Sequence, residues 1–120
     1  MKKNRDYSLY LNDMLDSASK AILFTEGMTF NSFMKDEKTQ YAVIRAIEII
    51  GEASKKIPRS LRTKYEEIPW NEISGMRDKL IHDYFGINSK IVWKTVNKDL
   101  PILIKLIMKI LKEEQSNSLF

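Results

Sequence analysis

The sequence predicts an all-α protein: an antiparallel four-helix bundle with one short extra helix and a last helix kinked at a proline. Three observations predict it. Apolar residues recur at steps of three and four along most of the chain. Few stretches alternate apolar and polar residues at period two. Only four glycines and three prolines punctuate 120 residues. That length makes one domain, residues 1–120.

The first helix is expected from Asp6 to about Glu26, with Tyr7, Leu11, Met14, Leu15, Ala18, Ile22 and Leu23 as its apolar positions and Gly27 as its stop. Met28 to Met34 reads as a connector that tucks Phe30 and Phe33 against the bundle. A second helix follows from about Asp36 to Lys56, with Tyr41, Ile44, Ile47, Ile50 and Ala53 on its apolar side, and Ile57-Pro58 stops it. Arg59 to Tyr65 suits a short helix. Pro69 opens a third long helix at Trp70 that carries Ile73, Met76, Leu80 and Ile81 to about Phe85, and Gly86 closes it. Asn88 or Ser89 caps the last helix. Pro101 lies inside that helix, where it removes one backbone hydrogen bond and kinks the chain near Asn97. From Ile102 to Met108 only Lys105 interrupts the apolar run, so this helix is either buried on two sides or forms a subunit contact. The polar tail from Glu113 to Phe120 is expected to fray.

Composition narrows the chemistry. Without cysteine there is no disulfide, thiolate ligand or cysteine nucleophile. With one histidine, a multi-histidine metal site within one chain is excluded. No cofactor or resident metal is expected. Twenty basic against sixteen acidic residues leave a net charge of +4, a mild bias toward anionic partners. No signal peptide and no apolar run long enough to span a bilayer is seen, so a cytoplasmic protein with no membrane partner is expected.

The residues that can carry chemistry concentrate in Arg77-Asp78-Lys79-Leu80-Ile81-His82-Asp83-Tyr84. His82 is the one side chain that ordinarily titrates near neutrality. A histidine can move protons, an arginine can stabilise charge on a pentacoordinate phosphorus, and a tyrosine can donate a hydrogen bond or stack on a base. On a helix Arg77 and Tyr84 lie about 20° apart, while Arg77 and His82 lie about 140° apart. Asp78 is four residues from His82 and can orient its imidazole. Cleavage of RNA by the 2′-hydroxyl needs a base on one side and an acid on the other, and one chain offers one histidine. A nuclease of this sequence therefore calls for a dimer.

Each feature also has an ordinary structural reading. A histidine near a helix C-terminus can simply meet the dipole, Arg77 can pair with a carboxylate, and Tyr84 can be core. Glu48 and Glu52 can hold Mg²⁺, or form an ion-pair ladder with Arg45 and Lys56. Glu52 is also a candidate supporting residue. Lys55, Lys56, Arg59, Arg62 and Lys64 gather five cations in ten residues without an acid, either to hold an RNA backbone or as a solvated helix end. No glycine-rich phosphate loop and no zinc pattern is present.

The run Arg77-x4-His82-x-Tyr84 resembles the signature of the HepT-like members of the HEPN superfamily. So do Gln40-x-Ala42-Val43-Ile44-Arg45, Ile49-Ile50-Gly51-Glu52-Ala53, Ile68-Pro69-Trp70, Ile73-Ser74-Gly75-Met76-Arg77, and Trp93 followed by Asp99-Leu100-Pro101 and Leu103. Glu26-Gly27-Met28-Thr29-Phe30 fits the family's first connector, and the likeness covers about residues 5 to 112. The resemblance implies a metal-independent endoribonuclease, the toxin of a type VII toxin–antitoxin pair, acting as a homodimer with the motif at the dimer cleft. It implies a minimal nucleotidyltransferase as partner and antitoxin, which silences the toxin by placing AMP on the motif tyrosine. By the same resemblance Arg77 and His82 are the catalytic pair and Tyr84 is the modified residue. Many members carry asparagine after the arginine; Asp78 stands there in this chain. The alternative is a catalytically idle helical partner of a nucleotidyltransferase.

Overall fold

The computed structural model describes the backbone of residues 2–82 and 88–118 and the side chains of residues 7–76 and 88–115. Within them the chain is helical and holds no strand. The helices are α1 (Lys2–Phe24), α2 (Phe30–Lys35), α3 (Glu37–Lys55), α4 (Arg59–Lys64), α5 (Trp70–His82), α6 (Ser89–Lys94) and α7 (Leu100–Ser118), with a π-helical stretch, Thr95–Asp99, between α6 and α7. The all-α expectation holds.

Helix α1 packs against α3 and α7, and α3 packs against α5. Tyr7, early in α1, reaches Glu114, late in α7, at 3.4 Å. Ser54, at the end of α3, bonds Ser74, early in α5, at 2.8 Å. Both pairs are therefore antiparallel. The core follows the helical period: Leu11, Met14 and Ala18 from α1, Val43, Ile47 and Ile50 from α3, Ile73 from α5, and Leu103, Ile107 and Ile110 from α7 are all buried. Each large aliphatic side chain among them stabilises the fold by about 1.5–3 kcal/mol.

The ends of the elements have local causes. Gly27 adopts φ +77°, the left-handed conformation that lets the chain leave α1. The expected connector contains a helix of its own, α2, because Thr29 and Ser32 cap each other's backbone. Phe33 is buried there, and Phe30 and Phe33 pack on Trp93 with ring centroids 6.2 and 5.2 Å away. The Asp36 carboxylate accepts from the Thr39 amide and starts α3. That bond holds its pKa below the usual range. The Asn88 side chain accepts from the Lys90 and Ile91 amides and starts α6. Gly86, the expected stop after α5, lies outside the described residues.

Three expectations are corrected. Tyr41 and Leu23 do not join the core: they are 62% and 61% exposed. Each stands two residues from a fully buried position, Val43 and Ala21 respectively, and so points about 160° away from it. The last helix is not buried on two sides, because Ile102 and Met108 are 60% and 56% exposed while Leu103 and Ile107 face inward. The tail does not fray at Glu113, since α7 continues to Ser118. Glu113 and Glu114 are held there by Tyr65, Lys64 and Tyr7.

The interruption expected near Asn97 is present as a widened turn. The Leu100 amide bonds back to the Thr95 carbonyl, five residues earlier. A wider turn moves the carbonyl of Asn97 away from the Pro101 ring, which would clash with it in a regular helix.

Candidate functional site

Helix α5 is anchored at its start. The Trp70 indole donates to the Tyr65 carbonyl at 3.0 Å, and the Ile73 amide bonds to the Pro69 carbonyl. Trp70 and Ile73 are buried. One turn further the Ser54–Ser74 bond fixes the register of α5 on α3, and Ser54 also donates to the Gly51 carbonyl at 2.8 Å. Counting along both helices from that contact brings Arg77 about level with buried Gly51 and His82 about level with Ala46. Arg77, Asp78 and His82 thus occupy the last part of α5, beside the middle of α3. Their side chains lie outside the described residues, as does the whole of Tyr84.

The cationic cluster divides. Lys55, Lys56 and Arg59 are exposed at the end of α3 and the start of α4. Arg62 is half-buried and committed to the fold: its guanidinium donates to the Ser54 and Ile57 carbonyls and lies 5.9 Å from the Trp70 ring. These carbonyls belong to the end of α3 and the turn after it, where helical partners run out. Arg62 therefore spends two of its donor groups on the fold. Lys64 pairs with Glu114 at 2.7 Å.

Glu52 is exposed on α3, and Glu48 stands one turn before it, with Arg45 Nη1 3.6 Å from Glu48 Oε1. The first rung of the expected ladder is therefore present. Among the described residues no cluster of three or more histidine, aspartate or glutamate side chains is placed to hold a metal ion. Nor is any helix among them long and apolar enough to cross a membrane.

Sequence reasoning missed one polar cluster. The Tyr65 hydroxyl lies 2.7 Å from Glu114 and 3.1 Å from Glu113, and Tyr7 and Lys64 complete the set around Glu114. Burial pushes the Glu114 carboxyl up, but its bonds to Lys64 and Tyr65 outweigh that and hold it below the usual glutamate range. Burial and the facing carboxylates push Tyr65 well above the usual phenol range. These partners lie 48 to 107 residues apart, so no local spacing reveals them.

Comparison with known proteins gives this geometry a family. The family model described as "Ribonuclease HepT-like" matches residues 14–110, which includes α5 and its motif. The chain belongs to the HepT-like ribonuclease family. Its relatives include a Thermococcus cleftensis protein named "Probable ribonuclease HepT", 50% identical over 99 residues, covering 82% of this chain and 90% of the relative. A proposed RNase of Methanocaldococcus jannaschii is 46% identical over 118 residues, covering 96% and 98% of the two chains. A proposed RNase of Caldanaerobacter subterraneus subsp. tengcongensis is 44% identical over 106 residues, covering 88% and 95%. No solved structure gives a significant match.

Proposed function

We propose that this protein is a metal-independent endoribonuclease, the toxin of a toxin–antitoxin pair, working as a cytoplasmic homodimer. The observation that carries the reading is the HepT-like match across residues 14–110, which spans Arg77-x4-His82-x-Tyr84. The relatives named as ribonucleases support it.

In this reading His82 takes the proton of a ribose 2′-hydroxyl, whose oxygen attacks the adjacent phosphorus. The 5′-oxygen leaves with a proton supplied by the second protomer's imidazole. The products are a 2′,3′-cyclic phosphate and a 5′-hydroxyl end. Arg77 offsets the extra negative charge on the five-coordinate phosphorus. The nucleophile comes from the RNA itself, so no metal-activated water is required.

Control comes from a minimal nucleotidyltransferase. It transfers AMP from ATP to the Tyr84 phenolic oxygen, with release of pyrophosphate. The added phosphodiester puts a bulky anion on the Arg77 stripe and excludes RNA by charge and by volume.

The purified protein should cut RNA in EDTA, and His82→Ala should not. Cleavage that persists in His82→Ala rejects the assignment. Incubation with the partner and ATP should add AMP at Tyr84 by mass spectrometry; AMP on another residue rejects that site.

A further inference from the structure

Among the described residues Tyr41 is the aromatic side chain most open to solvent, at 62%. Its neighbours one turn away on α3 are charged and exposed: Glu37 and Lys38 before it and Arg45 after it, with Arg45 3.6 Å from Glu48. Such an exposed pair exchanges readily. The same outer stripe of α3 continues through Glu48 and Glu52 to Lys55 and Lys56, and Arg59 follows at the start of α4. Five cations and three acids, Glu37 among them, line it.

Going round α3 from Ser54, which touches α5, Gly51 lies about 60° away, half-buried Ile44 about 80° and Tyr41 about 140°, so the stripe is on the outer side of α3. Along the axis, the register set by Ser54 and Ser74 places Tyr41 about 7.5 Å past the level of His82. The open ring therefore stands on the outer face of the bundle, toward the end at which α5 finishes.

An exposed aromatic ring between cations is the arrangement that holds a single strand: a base stacks on the ring, and flanking charges take the phosphates on either side. A duplex hides its base faces and cannot use the ring. We infer that Tyr41 is a stacking platform for an unpaired nucleotide of the RNA substrate, with Lys38 and Arg45 holding the adjoining phosphates and Lys55, Lys56 and Arg59 extending the track. This makes the substrate class single-stranded RNA. It rests on the ribonuclease reading above and adds a specificity residue to it.

The test uses full-length protein carrying His82→Ala, so that RNA is bound without being cut. Fluorescence anisotropy measures its affinity for an unstructured 12-nucleotide RNA and for the same sequence in duplex form. Tyr41→Ala should weaken binding to the single strand by about ten-fold, within the range of one base–aromatic stacking contact. Tyr41→Phe should keep it, because the ring and not the hydroxyl is used. Lys38→Gln and Arg45→Gln should each reduce the slope of log affinity against log salt by about 0.7. The duplex should bind more weakly and ignore Tyr41→Ala. Since Tyr41 is 62% exposed, all these variants should melt like the parent.

Unchanged affinity in Tyr41→Ala overturns the inference. So does a fall in molar mass by light scattering, which would make Tyr41 a subunit contact. These outcomes leave the ribonuclease reading standing if protein with native His82 cuts RNA. Protein that neither cuts nor binds RNA ends both.

Discussion

Arg62 and Arg45 show what separates structure from recognition in this molecule. Both are arginines on the surface of a bundle. Arg62 lies over Trp70 and donates to the carbonyls that end α3, so its charge is committed to the fold. Arg45 lies 3.6 Å from a glutamate one turn away and remains open to solvent. The same contrast holds for tyrosines: Tyr65 is buried with its hydroxyl between two carboxylates, while Tyr41 stands 62% exposed. Residue type does not distinguish them. What distinguishes them is whether the fold has already supplied a partner.

The largest effect that sharpens this contrast is on activity. His82→Ala should reduce RNA cleavage by about 10²–10⁴-fold, the range for loss of a general acid or base, with no change in melting temperature. A cleavage assay and a thermal melt on the same sample check both halves.

Next comes the committed arginine. Arg62→Ala should cost about 1–3 kcal/mol, because carbonyls at the end of α3 lose their donor. It should leave the salt dependence of RNA binding unaltered. Lys56→Gln should do the reverse, reducing the salt slope with little change in stability. Denaturant unfolding and salt-dependent anisotropy on both variants decide it. The contrast breaks if Arg62→Ala changes the salt slope.

The carboxylate cluster gives a smaller effect. Tyr65→Phe should cost about 1.5 kcal/mol through loss of a bond to a charged acceptor. It also gives a pH dependence. Glu114 sits below its ordinary value of 4.5, so its contribution is present above that pH and fades as pH falls through the folded-state value. Tyr65 and Tyr7 are raised above 10, so theirs is complete below pH 10 and fades as pH rises through the folded-state values. Melting temperature against pH should therefore fall at both ends, and Tyr65→Phe should flatten both falls.

The smallest effect concerns Asp78. Replacing it with the asparagine common in the family removes a negative charge next to Arg77. Asp78→Asn should raise RNA affinity by about two- to five-fold at low salt and less at high salt. A titration at two ionic strengths checks it.

The bundle was legible from the sequence because its cause is local. A stripe such as Leu11, Met14 and Ala18 needs only the helical period to be recognised. Pro101 and Asn88 also act within a few residues, so their effects near Asn97 and at the start of α6 could be read in advance. Tyr41 was misassigned although the period speaks against it: it lies about 160° round the helix from Val43, opposite the apolar stripe. The role of Arg62 depends on Trp70 and on two carbonyls that the turn after α3 brings beneath it. The Glu114 cluster depends on chain segments that meet only after folding. The motif on α5 was legible by its resemblance to a family, whereas spacing alone left Arg77 and His82 about 140° apart.

The widened turn at Thr95–Asp99 has a consequence for how this last rod tolerates change. It takes in one residue more than a regular turn, so that residue is absorbed without rotating the rod beyond it. Trp93, set against Phe30 and Phe33, and the row Leu103, Ile107 and Ile110 keep their present relation along one continuous backbone. Deleting a single residue from that segment should leave both faces inward and cost only the returned clash at Pro101, whereas one residue added within α7 before Leu103 would swing the aliphatic row by about 100° toward water.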